Sequence, residues 1–332
     1  MPWALRMADG KKVLYLSRDD VEEIAIPMRQ IIDVVESAFL EKAEGEVEVP
    51  PKPGIHPQQD AFIHAMPAFL RHSNVAGIKW VSGFPNNPGQ GLPYISGLLI
   101  LNDTKNGFPT CIMDCSWVTA KRTGAATAVA AKRLARDGSS VVGIVGCGAQ
   151  GRSNLEALTT ILDDLDEVRA YDISRKNGEN YAKEMSARFR LKVIPFDSPR
   201  EAVEGCDVVV SSGPILKKPT PSIEASWAKE GCFACPLDFD SYWTPDAMFS
   251  MDKFYTDDLE QLEYYRNQGY FAKIPAVYAE LCEVVSGQKS GREKPQERIM
   301  AMHLGSAISD MAVARIIHQK ALEERKGTWL EL

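Results

Sequence analysis

The sequence predicts an α/β protein: a doubly wound parallel sheet with helices on both faces, joined to a smaller, discontinuous α+β domain. Three observations predict it. Between residues 140 and 256 short apolar strands alternate with helical segments, the pattern of a parallel sheet covered by helices. A glycine-rich turn follows the first of those strands. Ahead of them lie apolar runs separated by turn signals, the pattern of an antiparallel sheet. At 332 residues the chain is long enough for two cores.

Residues 13–16 read as the first strand. Ser17, with Asp20 three residues on, reads as the cap of one long amphipathic helix reaching about Glu44. The segment Val49-Pro-Pro-Lys-Pro-Gly54 reads as irregular, because its prolines remove donors and fix the backbone. The runs 61–66, 75–82, 95–102 and 109–114 follow, punctuated by Pro85-Asn-Asn-Pro-Gly89 and Lys105-Asn-Gly107. They predict a mostly antiparallel sheet with a covering helix. Residues 118–135, rich in Ala with Lys and Arg, read as a helix. Strands are expected at 140–145, 167–171, 192–196, 207–211, 232–235 and 253–256, and a final helix at 303–324. If that helix packs back on the first domain, the domains are 1–125 with 303–332, and 126–302.

Composition excludes several classes. Hydrophobic residues make up 45% and charged residues 25%, both ordinary for a soluble protein. A net charge of −7 argues against holding a phosphate backbone, so no nucleic-acid partner is expected. The most apolar stretch, 95–101, is too short to span a bilayer. The seven cysteines lack framework spacing and no signal peptide is read, so reduced thiols in a cytoplasm are expected. Cys232 and Cys235 fall in a predicted strand where residues three apart face opposite ways, so neither a disulfide nor a metal site is expected there.

Val141-Val-Gly-Ile-Val-Gly146-Cys-Gly148-Ala-Gln-Gly151 is a strand, then G-x-G-x-x-G, then a helical pattern. Gly146 permits the tight turn, Gly148 lets a pyrophosphate approach the backbone, and Gly151 lets helix and strand pack closely. The helix N-terminus offers free N–H groups to phosphates. Asp172 ends the next strand, where it would bond ribose hydroxyls and repel a 2′-phosphate. These features predict a Rossmann domain binding NAD. NADP is less favoured, although Arg175 and Lys176 partly offset the repulsion.

Met113-Asp-Cys-Ser-Trp-Val-Thr-Ala-Lys-Arg122-Thr-Gly-Ala-Ala-Thr, followed by Gly146-Cys-Gly-Ala-Gln150, resembles the ornithine cyclodeaminase/mu-crystallin family, and within it most nearly the archaeal alanine dehydrogenase branch. Pro50-Pro-Lys52, Ala65-Met-Pro67, Gly77-Ile-Lys79-Trp80-Val81, Gly91-Leu-Pro93 and Asp310-Met-Ala-Val-Ala314 extend the likeness over nearly the whole chain. The resemblance implies a homodimer, a smaller domain for substrate binding and dimerisation, and an active site between the domains. Such proteins oxidise small L-amino acids to imines, reduce cyclic ketimines, or cyclise ornithine with loss of ammonia. Mu-crystallin is known as much for binding ligands.

The resemblance also implies roles. Lys52, Lys79 and Arg122 fall at the positions that clamp a substrate carboxylate, and a lysine such as Lys79 inside an apolar strand needs a carboxylate partner from substrate or protein. Asp238 matches the proton-handling aspartate, with Asp240 as its rival, so the catalytic pair is Lys79 and Asp238. The cofactor contacts are Arg122, Thr123, Gly146, Gly148, Ala149, Gln150, Asp172 and Ser212. His64 stands where cyclodeaminases carry glutamate and the alanine dehydrogenase branch arginine. It brings no negative charge for a side-chain ammonium. The aromatic stretch Phe239–Trp243 and the loop Met302-His303-Leu304-Gly305 also depart from the family pattern, and both are expected to border the pocket. The function expected is NAD-dependent oxidation or reduction at the C–N bond of a small L-amino or imino acid. The alternatives are an ornithine-type cyclodeaminase and a mu-crystallin-like binder of dinucleotide and ligand.

Overall fold

A computed structural model describes residues 12–332. The chain forms two compact units, Met1–Arg122 with Ser306–Leu332, and Thr123–Gly305.

In the first unit, β1 (Lys12–Leu16) leads into α1 (Arg18–Ile24) and α2 (Met28–Ala43). The single long helix expected from the sequence is therefore two. Ser17 caps α1 as anticipated: its Oγ accepts from Asp20 N at 3.2 Å, and Asp20 Oδ2 accepts from Ser17 N at 2.9 Å. Ala25 then turns left-handed, with φ 49°, and Pro27 caps α2. The break follows from proline, which pushes the residue before it out of the helical region. The proline-rich residues 49–53 are irregular as expected, and the short strands on either side, β2 (Val47–Glu48) and β3 (Gly54–Ile55), both pair with β4 (Phe62–Leu70).

The strands β5 (Val75–Gly83), β6 (Ile95–Asn102) and β7 (Pro109–Asp114) complete an antiparallel run, and β1 joins β7 in parallel. The chain crosses to the second unit within α3 (Ser116–Leu134).

The second unit contains β8 (Val141–Val145), α4 (Ala149–Thr159), β9 (Glu167–Tyr171), α5 (Arg175–Phe189), β10 (Lys192–Pro195), α6 (Pro199–Val203) and β11 (Val208–Ser211). It continues with β12 (Phe233–Pro236), α7 (Pro245–Phe249), β13 (Lys253–Thr256), α8 (Leu259–Arg266), β14 (Ala279–Glu280), α9 (Leu281–Val285) and β15 (Ile299–Met302). The eight strands form one parallel Rossmann-type sheet in the order β10-β9-β8-β11-β12-β15-β13-β14. The order reverses between β8 and β11, the switch point where open α/β sheets bind ligands. The strand β15, not expected from the sequence, separates β12 from β13. Its four residues are all buried, as a central parallel strand requires.

The chain returns to the first unit with α10 (Ala307–Glu324) and ends in β16 (Thr328–Glu331), which pairs with β1. The helix α10 packs on β4, β5, β6 and α2. It covers the sheet face carrying Val81, Leu99, Cys111 and Met113, all buried. The alternate residues of the same strands, among them Ile78, Trp80, Leu98, Ile100 and Ile112, point to the other face and stay partly or fully exposed.

Candidate active site

Lys79 lies in the middle of β5, opposite Met66 on β4 and Leu99 on β6. Its neighbour Gly77 faces α10, where an added Cβ would stand 3.0 Å from Met311 Sδ and 2.1 Å from the Ile100 carbonyl oxygen. That absence of a side chain lets the helix press onto the sheet. Next to Met311, in the first turn of α10, is Asp310. Lys79 Nζ donates to both of its oxygens at 2.7 Å, and Arg122 Nε lies 3.0 Å from Oδ1. Lys79 and Asp310 are fully buried and Arg122 nearly so. Two cations thus share one carboxylate, leaving a net positive charge inside the unit. Burial, followed by the Arg122 guanidinium, lowers the Lys79 pKa to about 8 against the opposing pull of Asp310.

The same unit buries Lys52 and His64. The strand β3 lies so close over His64 that a Cβ on Gly54 would stand 2.2 Å from the imidazole Cδ2. The ring stacks on Phe62 at 4.3 Å. Burial, then Lys52, His56 and Lys79, push the His64 pKa down to about 3, so the imidazole is neutral at physiological pH.

In the second unit the glycine turn has the geometry a dinucleotide needs. Gly146 has φ +99°, which a side chain rarely adopts, and its carbonyl accepts from Ser212 Oγ at 2.9 Å. A Cβ at Gly151 would stand 2.3 Å from the Gly146 carbonyl oxygen, whereas one at Gly148 would meet nothing within 4 Å. The space beside Gly148 is where a pyrophosphate can approach, and no side chain caps the α4 helix that starts at Ala149 and Gln150. Asp172 accepts from Cys147 N at 3.0 Å and Ser174 N at 2.9 Å, so it also braces the loop. Arg175 is tied to Asp197 at 2.6 Å and Glu179 at 2.9 Å. Those bonds leave it less able to offset the repulsion of a 2′-phosphate. Thr123, at the start of the unit, is buried.

Asp238, just beyond β12, is fully buried and accepts from Ser211 Oγ at 2.8 Å and Gly213 N at 3.0 Å. Burial, only partly offset by those donors, raises its pKa to about 7. Asp240 is half-buried and accepts from Phe271 N at 3.0 Å, and burial raises its pKa as well.

Within the aromatic stretch Tyr242 lies against Gly213, next to Ser212, whereas Phe239 and Trp243 turn inward. Phe239 is buried against Tyr265 and Phe271, with ring centroids 5.1 and 4.9 Å away, and Trp243 is fully buried beside Ile223 and Trp227. Both rings belong to the core of the second unit, because bulky apolar side chains gain more there than at a wet rim. In the departing loop, His303 is buried with Nδ1 3.7 Å from Cys235 Sγ.

The residue missed from the sequence is Asp310. Its signal was a lone carboxylate in an apolar stretch of helix, which must find a buried partner.

The chain matches the ornithine cyclodeaminase/mu-crystallin family over residues 11–325. The chain belongs to the ornithine cyclodeaminase/mu-crystallin family. Within that family it is 35% identical to an alanine dehydrogenase of Archaeoglobus fulgidus over 96% of this chain and 98% of that protein. It is also similar to the Thermococcus litoralis Δ1-pyrroline-2-carboxylate reductase solved with NADH and L-proline: 33% identity, TM-score 0.87, 95% of this chain and 99% of that one. An archaeal alanine dehydrogenase dimer with bound NAD gives 33% identity and a TM-score of 0.84, over 96% of this chain and 99% of that one.

Proposed function

We propose that this family member is an NAD-dependent oxidoreductase acting on the C–N bond of a small L-amino or imino acid. The observation that carries the reading is the buried pair Lys79 and Arg122 sharing the single carboxylate of Asp310. An excess of buried positive charge is costly unless an anion joins it, and a substrate carboxylate is such an anion. NAD fits the glycine turn and Asp172 of the other unit, and two relatives in the family were solved with NAD or NADH. The smaller unit is read as the substrate domain and the Rossmann unit as the cofactor domain.

The glycine turn and Asp172 would hold NAD, which would supply a hydride acceptor for the substrate Cα, or as NADH a donor in the reverse direction. Lys79 and Arg122 hold the substrate carboxylate, with Lys52 beside them, so that Cα is presented in one orientation. His64 stays neutral and offers no anion to a side-chain ammonium. In the oxidative direction the amine nitrogen also loses a proton as the C=N bond forms. Of the two aspartates beyond β12, Asp238 accepts from Ser211 and Gly213, and a carboxyl raised to about 7 by burial suits a group that takes up and returns a proton. Asp238 is read as the proton acceptor, with Asp240, which accepts from Phe271 N, as its rival. Arg122, Thr123, Ala149, Gln150 and Ser212 remain the proposed cofactor contacts alongside the glycines and Asp172.

A homodimer is also proposed. The outward face of the first sheet carries Trp80 and Leu98, 46% and 43% exposed, where a sheet facing water would alternate to polar residues. A second copy covering that face removes these side chains from water. Among the described residues no helix is long and apolar enough to cross a membrane. Seven buried cysteines, none of them in a disulfide, suit a reducing cytoplasm.

The chemistry is tested by measuring ammonium and NADH together after adding L-ornithine and NAD. The proposal expects no ammonium in excess of NADH. Ammonium released without NADH would assign the chain to cyclodeamination instead.

A further inference from the structure

The partner of Lys79 has a role of its own. Asp310 comes from α10, Lys79 from β5 and Arg122 from α3, three elements far apart in sequence that meet at one carboxylate. Each end of the arrangement is fixed. Lys79 Nζ is equidistant from both Asp310 oxygens, at 2.7 Å, and the Arg122 Nε contact at 3.0 Å falls on one of them. The helix carrying Asp310 is seated on the strand carrying Lys79 through Gly77 and Met311. Asp310 also lies in the first turn of α10, where the helix dipole favours a negative charge.

We propose that Asp310 is a positioning residue for the reaction, holding the Lys79 ammonium and the Arg122 guanidinium in one frame to which the substrate carboxylate binds. This rests on the reading of Lys79 and Arg122 as the carboxylate clamp. The carboxylate does two things a neutral group of the same shape would not. It aligns the two cations, which would otherwise repel each other, and it favours the charged form of Lys79. The other titratable groups acting on Lys79 are Arg122 and Cys115, and Lys79 in turn acts on His64. His64 is neutral across the working range, and burial raises the Cys115 thiol to about 11. Asp310 is therefore the anion that keeps Lys79 protonated as pH rises.

The test is the pH profile of kcat/KM for the wild type, Asp310→Asn, Asp310→Glu and Lys79→Ala, with thermal unfolding of each. The clamp needs Lys79 charged, so wild-type activity falls as pH rises through the Lys79 pKa. In Asp310→Asn the loss of the anion is expected to move that alkaline limb about one pH unit or more toward acid. It also lowers kcat/KM by about 100-fold, the cost of misplacing a bound group by about 1 Å. Asp310→Glu keeps the charge, so its limb should return to the wild-type position even where kcat/KM stays low.

A lowered melting temperature with the limb unmoved in Asp310→Asn would overturn the proposal and leave Asp310 a structural residue. So would equal limb shifts in both variants. If Asp310→Asn does not fold, Asp310→Glu decides: a limb displaced from wild type overturns the proposal, and one retained supports it. Full turnover by Lys79→Ala would overturn the carboxylate-clamp reading itself, a result distinct from the failure of Asp310.

Discussion

Lys79 Nζ stands 2.7 Å from both carboxylate oxygens of Asp310, a residue 231 positions away, with neither side chain reaching solvent. A buried lysine normally makes a neutral ion pair. Here Arg122 is added to the same carboxylate, so the group carries a positive charge into a dry interior. Such an arrangement is wasteful for stability alone, because well-packed apolar residues do as well. It is suited to receiving an anion.

Replacing Lys79 by alanine should therefore lower kcat/KM by about 10²- to 10⁴-fold, the range for losing one group that acts on the reacting centre. NAD affinity by calorimetry should be nearly intact, since the cofactor's phosphates belong to the glycine turn. An equal loss of NAD binding would mean that Lys79 acts on the cofactor.

The two glycines of the turn should respond differently. Gly151→Ala places a Cβ 2.3 Å from the Gly146 carbonyl oxygen, so α4 must shift. About 1–3 kcal/mol of stability should be lost along with NAD binding. Gly148→Ala meets no protein atom within 4 Å, so its melting temperature should hold while NAD affinity falls. Unchanged NAD affinity in Gly148→Ala would move the pyrophosphate elsewhere.

Asp172→Ala should weaken NAD by about 10- to 100-fold, the value of one or two hydrogen bonds to a charged group, and affect NADP less. Part of that loss will come from Cys147 N, which Asp172 now holds. Equal NAD and NADP constants before and after the change would remove Asp172 from the ribose.

The two aspartates beyond β12 are separable by kinetics. Asp238→Asn should lower kcat with little change in NAD affinity. Asp240→Asn should loosen the turn at Phe271 and leave kcat nearly unchanged. The opposite pattern would move proton handling to Asp240.

A pH effect on stability is expected from Asp207, at the other end of the Rossmann sheet. Burial alone would raise its pKa. Lys229, Arg136 and the amides of Ser140 and Val141 outweigh that and hold it at about 2. A depressed carboxylate stabilises the fold above its unfolded pKa, and the contribution is lost as pH falls through the folded value. Asp207→Asn should thus cost about 2 kcal/mol near neutrality. The difference in urea midpoint from wild type should shrink from about pH 4 toward pH 2. A difference independent of pH would show that Asp207 acts by shape alone.

The cofactor half of the site was legible in the sequence because its demands are local. A left-handed turn at Gly146 and a close approach at Gly151 exclude side chains, and Asp172 follows at the end of the next strand. The substrate half was legible only as a need. Lys79 in an apolar strand called for an anion, but choosing Asp310 required knowing that α10 returns over β5. Pro27 was a visible signal that lost to the amphipathic pattern around it, and the helix broke there. β15 was hidden because four apolar residues carry no periodicity of their own, and only the sheet gives them a place. Aromatic bulk at Phe239 and Trp243 suggested a pocket wall, whereas both rings fill the core.

The central claim is tested most directly by NADH absorbance with the purified protein. Small L-amino acids are offered with NAD, and cyclic imines or 2-oxo acids with ammonium are offered with NADH. Steady formation or consumption of NADH with at least one member of these panels, lost in Lys79→Ala, is the result expected. No change in NADH with any of them, from protein shown by calorimetry to bind NAD, would contradict the assignment of C–N redox chemistry to this site.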